Sequence, residues 1–229
     1  MIKNTLIWCS LIYTCAALSA PSASKATELE RVRSQLGYVP TNFISVSAWK
    51  SDGQQPIAIR TYPLNGGAKR RQSKAEVPGQ AVNSPFPTLY WLTSPDISKA
   101  IADLEGRGYM NEIEASIRES SELTSRLIQC HIQYADERWN SLSKEDQELL
   151  ADSNNPSIER MRIMMRDSGV SGTNFTMYTE GDSTDLPSIK CLHAHYAHFA
   201  STKEQLEFPN PVGEMVHEAL QKGYPELEL

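Results

Sequence analysis

The chain has 229 residues, of which 40% are hydrophobic, and this length and composition suit one globular domain with a packed core. Its formal net charge of −6 argues against a general binder of nucleic acid or of anionic membranes, because such proteins need clustered lysine and arginine. One short basic run, at residues 69–74, lies among Gly, Gln, Ser and Pro residues that are typical of a solvated loop. Nucleic acid is therefore not an expected partner.

The beginning of the chain has the pattern of a targeting segment. An apolar run without charge extends from Thr5 to Ala20, and it is shorter than the roughly 20 apolar residues that span a bilayer. An Ala-x-Ser pattern directly before Ala20 is typical of a signal-peptide cleavage site. We predict a signal segment over residues 1–24, followed by one domain over residues 25–229 with no stable membrane span after cleavage.

These features predict entry into the secretory pathway, or secretion. The residues that follow the predicted cleavage site are small, rich in hydroxyl groups and free of acids, as transit peptides are. Import into a plastid through a two-part presequence is therefore the alternative destination. In the secretory lumen, Asn174 with Phe175 and Thr176 would form a glycosylation sequon.

After the targeting segment, the chain predicts a short helix followed by three strands. Apolar and small polar residues alternate from Phe43 to Trp49, as in a half-buried strand. Gly, Gln, Lys, Arg and Ser dominate residues 63–84, which predicts a mobile loop. The predicted elements are a helix at 26–36 and strands at 43–49, 57–62 and 86–93.

Helical periodicity and capping residues dominate the rest of the chain. Asn155 before Pro156 marks one helix start, and Asp185 with Pro187 marks the start of a helix that carries residues 191–198. A small antiparallel sheet of about three strands, followed by and packed against a helical bundle, is an α+β fold. The other predicted helices cover 96–104, 110–119, 121–140, 144–151 and 156–166, with a last one after Pro211.

Residues 191–198 concentrate groups that can bind a metal, carry a proton or attack an electrophile. Cys191, His195 and His198 stand at positions i, i+4 and i+7, so on a helix they share one face, from which His193 points away. Thiolate and imidazole are common zinc ligands, and these three residues could bind zinc with His131 as a remote fourth ligand or with an open fourth position. We favour the alternative without metal, in which the thiol is buried and the histidines are hydrogen-bonded within the helix packing.

A second polar stripe lies on the predicted helix 121–140. His131, Tyr134 and Arg138 stand at i, i+3 and i+7, and an arginine fork beside two further donors suits a small anion. The helix start after Pro211 would offer the free amide of Gly213 for the same purpose. We therefore predict anion binding by Tyr134, Arg138 and Gly213, with an interhelical hydrogen-bond network as the alternative.

Two strings of the chain resemble a known bacterial family. PFPTLYWLT at residues 85–93 and KCLHA at residues 190–194 resemble the family called domain of unknown function 501. Shorter strings resemble the family in the same order along the chain, and the resemblance covers about residues 29–224. It implies a shared fold and brings no activity, since the family has none assigned. The shorter strings are LGYVP at 36–40, IRT at 59–61, His131-x-x-Tyr134 with Arg138, and NPVG at 210–213.

Two classes of function follow from these residues. The first is a small-molecule enzyme, such as a hydrolase or transferase acting on an anionic substrate. In such an enzyme, Cys191 is a candidate nucleophile. Its general base would be His131 rather than a histidine on the same helix as Cys191. The second is a non-catalytic binding or scaffold protein in which the Cys/His cluster is structural. The catalytic candidates are His131, Arg138, Cys191, His193 and His198.

A shared site requires the two polar helices to be neighbours. We predict that His131 lies within side-chain reach of Cys191, His193 or His198, because proton transfer needs hydrogen-bond distance. In an oxidising compartment, Cys130 and Cys191 could instead be bridged, provided that their Cα atoms approach within roughly 7 Å.

Overall fold

The computed structural model of the protein describes residues 25–65, 85–151, 155–176, 188–206 and 209–229. The predicted targeting segment lies outside these residues, as do positions 66–84 of the predicted loop. The predicted helix start at Asp185 and Pro187 also lies outside them.

The three predicted strands form one antiparallel sheet. Its strands are β1 (Phe43–Trp49), β2 (Pro56–Thr61) and β3 (Tyr90–Leu92), and β2 lies in the middle. The turn between β1 and β2 passes through Gly53, whose φ of 66° lies in the left-handed region that favours glycine. The predicted sheet is thereby confirmed.

The third strand is shorter than the predicted run 86–93. Pro85 and Pro87 have no amide hydrogen, so the chain there cannot continue a regular ladder against β2. Pro85 makes only an isolated bridge with Leu64 before the ladder begins at Tyr90.

Helices form most of the described structure, and local capping explains several of their starts. The Ser120 hydroxyl accepts the amide of Leu123, and the Asn155 side chain accepts that of Ser157. None of the described helices has both the length and the apolar character that crossing a membrane requires. The helices are α1 (Lys25–Leu36), α2 (Pro95–Gly106), α3 (Tyr109–Glu119), α4 (Ser121–Asn140), α5 (Lys144–Ala151), α6 (Pro156–Arg166), α7 (Leu192–Thr202) and α8 (Pro211–Gly223).

The core lies between one face of the sheet and the helices α2, α3, α4, α7 and α8. Helix α7 is central, since it contacts all three strands as well as α2 and α8. On the opposite face of the sheet, Val32 of α1 packs against Val46 and Ile59. The protein is therefore an α+β domain, as predicted, with α7 enclosed between sheet and helices.

Candidate functional site

Helix α7 begins at Leu192, so Cys191 precedes the helix as its N-cap residue. The Cys191 backbone is extended, with φ −162° and ψ 114°. The amide of Leu192 donates to Glu105 Oε1 at 2.8 Å, which fixes the first helical residue against α2. The predicted common face of Cys191, His195 and His198 on one helix is therefore wrong for Cys191.

Cys191 instead lies beside His193 and Glu105. The Cys191 sulfur, an imidazole nitrogen of His193 and a carboxylate oxygen of Glu105 all lie within 4.8 Å of one another. His193 Nδ1 is 3.4 Å from Glu105 Oε1. In the described ranges, this is the one group of at least three Cys, His, Asp or Glu side chains so arranged.

The other ring nitrogen of His193 fixes the orientation and tautomer of the imidazole. His193 Nε2 lies 3.0 Å from the carbonyl oxygen of Ser98, one of the carbonyls of α2. Because a carbonyl oxygen only accepts hydrogen bonds, Nε2 must carry the hydrogen. Nδ1, which lies 3.4 Å from Glu105 Oε1, is then the nitrogen that can gain or lose a proton.

The charges around this pair favour a thiolate facing an imidazolium. The hydrogen bond with His193 lowers the pKa of the Cys191 thiol, and the amide of Ala194 lowers it further. The same hydrogen bond, together with the Glu105 carboxylate and the Ser98 carbonyl, raises the pKa of His193 to about 9. A thiolate at a helix N-terminus beside a histidine is the usual environment of a reactive cysteine.

Three other histidines form a buried cluster where α4 meets α7. His131, His195 and His198 are each at most 1% exposed. The rings of His131 and His195 meet edge to face, with centroids 5.7 Å apart. The prediction that these two helices are neighbours is confirmed, and the ring that contacts His131 is that of His195. The reach of His131 to Cys191, His193 or His198 stays a prediction.

Hydrogen bonds from the surrounding chain fix these imidazoles in their neutral form. His131 Nδ1 accepts the amide of Val170 at 3.1 Å. Asn210 Nδ2 donates to Nδ1 of His198 at 3.2 Å, and Nδ1 of His195 lies 3.1 Å from Asn210 Nδ2 and 3.2 Å from Asn210 Oδ1. Nδ1 of His131 and Nδ1 of His198 are thus acceptors, and in these two neutral rings Nε2 carries the hydrogen.

Burial keeps the three rings uncharged. Loss of hydration lowers the pKa of His131 to about 2, that of His195 to about 4 and that of His198 to about 3. Among the described residues, the predicted zinc set of Cys191, His195 and His198 is not a group of ligand atoms within 4.8 Å.

Arg138 and Tyr134 use their polar groups inside the fold. The Arg138 guanidinium donates to the carbonyl oxygens of Pro87, Met164, Met165 and Ser168. The Tyr134 hydroxyl accepts the amide of Leu89 at 2.8 Å. These bonds attach the end of α6 and the start of β3 to α4.

Gly213 lies where α7 and α8 touch. Its amide donates to Asn210 Oδ1 at 3.1 Å, which caps α8. A Cβ atom at this position would lie 2.3 Å from Phe199 Cβ. Anion binding by Tyr134, Arg138 and Gly213 stays a prediction, and the contacts observed here serve the packing of the fold.

Both described cysteines are free thiols. Cys130 Sγ lies 3.6 Å from His198 Nδ1, and burial raises its pKa. Cys191 belongs to the other cluster, so the disulfide considered from the sequence is not formed. The Asn174 side chain is exposed, and its oxygen accepts the amide of Thr176 at 3.0 Å.

A cavity of about 370 Å³ lies towards the other end of α7, between β1 and α8. Ser47, Ser201 and His217 are among the residues that line it. The ring of His217 stacks on that of Tyr196, with centroids 6.2 Å apart. The thiol and the paired imidazole are therefore at the beginning of α7, apart from this cavity.

Sequence reasoning missed Glu105, Ser98 and Asn210. Glu105 and Ser98 belong to α2, far from Cys191 along the chain, and no motif connects them to it. Asn210 did have a local signal, because Asn before Pro at a helix start predicts a cap. Its second role, as a hydrogen-bond partner of two buried histidines, needed the fold.

The comparisons with known proteins agree with the resemblance seen in the sequence. Residues 47–218 match the family described as "Protein of unknown function (DUF501)". The match includes Glu105, Cys191 and His193 and begins within β1. No curated protein and no solved structure matches the chain.

Proposed function

This chain belongs to that family of proteins of unknown function, and we propose that it is an enzyme in which Cys191 is the nucleophile and His193 the general base and acid. The observation that carries the proposal is the meeting of thiol, imidazole and carboxylate within 4.8 Å at the start of α7. Nucleophilic catalysis needs a cysteine next to a base that a third group orients. The substrate class is a carboxylic acid derivative with an electrophilic carbonyl carbon, such as an ester or thioester.

The first half of the reaction forms a thioester. The Cys191 thiolate donates an electron pair to the carbonyl carbon, and the carbonyl electrons move to its oxygen. The intermediate then collapses, the bond to the leaving group breaks, and His193 Nδ1–H protonates the departing atom. We assign stabilisation of the negatively charged oxygen to the backbone amide of His193, in the first turn of α7.

The second half returns the enzyme to its starting state. Neutral His193 accepts a proton from water at Nδ1 while the water oxygen attacks the thioester carbon. The carbon–sulfur bond breaks, the carboxylic acid leaves, and the electron pair returns to sulfur. Ser98 and Glu105 are positioning residues here, because each holds the imidazole or its charge without touching the substrate.

A non-catalytic scaffold is the second candidate function. The buried histidine cluster and the carbonyl contacts of Arg138 favour it, since these residues hold α4, α6, α7 and α8 together. In a scaffold protein, Cys191 and His193 would serve only to secure the start of α7. The two candidates differ in one measurable property, the reactivity of the Cys191 sulfur.

Acylation by an activated ester distinguishes the two candidates. We expect p-nitrophenyl acetate to release about one equivalent of nitrophenol in a fast phase, with the acetyl group on Cys191 in peptide mass spectra. Cys191→Ser should abolish the fast phase, and His193→Asn should slow it at least about tenfold. Cys130→Ser is the matched control and should leave it unchanged.

The enzyme proposal is overturned if the folded wild-type protein acquires no acetyl group on Cys191. A fast phase that persists in Cys191→Ser also contradicts it, because another nucleophile would then be responsible. Circular dichroism of each variant shows whether a lost reaction reflects lost folding. The Cys130→Ser protein supplies the reference for the effect of removing a thiol.

A further inference from the structure

We propose that Glu105, Cys191 and His193 together form a binding site for a zinc ion. One sulfur, one imidazole nitrogen and one carboxylate oxygen are the three kinds of zinc ligand found in proteins. The regulatory consequence rests on the function proposed above: a zinc-bound sulfur is no longer free to attack a substrate, so zinc inhibits the enzyme reversibly. The binding itself does not depend on that function.

The distances are close to those that a zinc ion requires. With bonds of about 2.0–2.3 Å in a tetrahedron, neighbouring ligand atoms lie about 3.3–3.6 Å apart. His193 Nδ1 and Glu105 Oε1 are already 3.4 Å apart. The three ligand atoms lie within 4.8 Å of one another, so adjustments of roughly 1 Å in half-buried side chains complete the site.

The surroundings prepare each ligand for a metal. The Nε2–H of His193 donates to the Ser98 carbonyl, so Nδ1 is the nitrogen that faces Glu105 and is left for a metal. A metal-binding histidine usually donates its second nitrogen in this way. The amide of Leu192 holds the Glu105 carboxylate in place at 2.8 Å. The ligands are thus oriented before any ion arrives.

The charges also balance. A thiolate and a carboxylate together carry two negative charges, which neutralise those of Zn²⁺. When zinc binds, it takes the electron pairs of Cys191 Sγ and His193 Nδ1, and the proton that the two atoms share leaves to water. A water molecule occupies the fourth position, so the ion is held by three protein ligands and can exchange.

The buried histidine cluster is unsuited to the same task. Nδ1 of His131 accepts a backbone amide, Nδ1 of His198 accepts Asn210 Nδ2, and Nδ1 of His195 is hydrogen-bonded to the Asn210 side chain. Nε2 of His131 and of His198 therefore carries a hydrogen and has no lone pair in the ring plane for a metal. A metal there would require these internal hydrogen bonds to break, whereas Nδ1 of His193 has only the proton that it shares with Cys191 to release.

Titration of the metal-free protein with zinc chloride against a chromogenic chelator tests the site. We expect one zinc ion per chain and a loss of affinity of at least about tenfold in Cys191→Ser, His193→Asn and Glu105→Gln. The controls Cys130→Ser and His217→Asn should bind as the wild type does. Cobalt in place of zinc should give the near-ultraviolet absorption of a thiolate–cobalt bond, absent in Cys191→Ser.

The zinc and enzyme proposals fail in different measurements. Zinc at one equivalent should prevent acetylation of Cys191, and removal of the ion by a chelator should restore it. Acetylation of the metal-free protein without any zinc binding overturns the zinc site alone. The zinc site is also overturned if both Cys191→Ser and His193→Asn bind zinc with wild-type affinity. If the protein binds zinc but Cys191 is never acetylated, only the enzyme proposal is overturned.

Discussion

Arg138 carries its guanidinium group inside the protein, among backbone carbonyl oxygens. It is fully buried and donates to Met165 at 3.0 Å through Nε and to Pro87 at 3.2 Å through one terminal nitrogen. The other terminal nitrogen reaches the carbonyls of Met164 and Ser168 as well. The oxygens of Met164, Met165 and Ser168 stand at or near the end of α6, where helical carbonyls lack partners along their own helix. The planar, five-donor arginine side chain suits this task better than a lysine does.

We predict that Arg138→Lys lowers the free energy of unfolding by about 3 kcal/mol, because several buried carbonyls lose their donors while the charge stays buried. Urea titration followed by circular dichroism measures the change. Arg162→Lys is the control: Arg162 pairs with Glu159 at the surface, and its replacement should leave the unfolding free energy close to that of the wild type. Equal stability of Arg138→Lys and wild type would contradict this account of Arg138.

Glycine at position 213 permits the close approach of α7 and α8. The hydrogen that stands in place of a side chain faces Phe199 Cβ and the carbonyl oxygen of His195, which a Cβ would meet at 2.3 and 2.5 Å. Real Cβ atoms do not approach other atoms so closely, and the oxygen belongs to backbone that cannot turn aside. The helices would have to separate, which would strain the bonds from Asn210 to the histidines of α7.

Gly213→Ala should therefore destabilise the protein by about 2–3 kcal/mol, although alanine is the better helix former. Gly223 ends the same helix, and a Cβ at that position would meet nothing within 4 Å, so Gly223→Ala provides the control. We expect the control to change the unfolding free energy by less than about 1 kcal/mol. A thermal or urea unfolding series on both variants decides the point, and a Gly213→Ala protein as stable as the control would refute the packing argument.

Local sequence signals predicted the helices and strands whose boundaries depend on residues nearby in the sequence. Helix α6 starts at the predicted Asn155-Pro156 signal, because the cap bonds to an amide two residues further along. Helix α7 is different: the stretch before it is not helical from Ser188 to Cys191, and its first amide is held by Glu105 of α2. Such a long-range bond leaves no trace in the local pattern, so the sequence predicted an earlier start.

The same limit explains how much of the candidate site could be predicted. Cys191 and His193 stood out because chemically active residues are rare and these two are close together in the sequence. Their pairing could not be predicted, because helical periodicity directs His193 away from Cys191 unless Cys191 lies outside the helix. Glu105 and the Ser98 carbonyl come from α2, and only the packing of α2 against α7 brings them to the site.

For the whole molecule, the buried histidines couple folding to pH. In the folded protein their pKa values are about 2 for His131, 4 for His195 and 3 for His198, each below the ordinary value of 6.5. The unfolded chain therefore binds more protons than the folded one as the pH falls below 6.5. Stability from these groups is fully present above pH 6.5 and is lost progressively as the pH falls towards 4 and below.

We expect the unfolding free energy to fall by up to about 4 kcal/mol per pH unit between pH 5.5 and 4.5, since each of three protons contributes about 1.4 kcal/mol per unit. Urea titrations across this pH range measure the slope. His131→Asn keeps an acceptor for the Val170 amide and removes one titrating group, so its slope should be lower by about 1.4 kcal/mol per unit. An unchanged slope in that variant would show that His131 is not a neutral buried group.

The central claim is that His193 activates Cys191, and the rate of alkylation by iodoacetamide at pH 7 tests it most directly. An ordinary thiol with a pKa of about 8.5 is only a few per cent thiolate at this pH, so Cys191 should react at least about tenfold faster in the wild type than in His193→Asn. Buried Cys130 is the internal reference and should stay unmodified in both folded proteins. Equal rates at Cys191 in the wild type and in His193→Asn would contradict the claim.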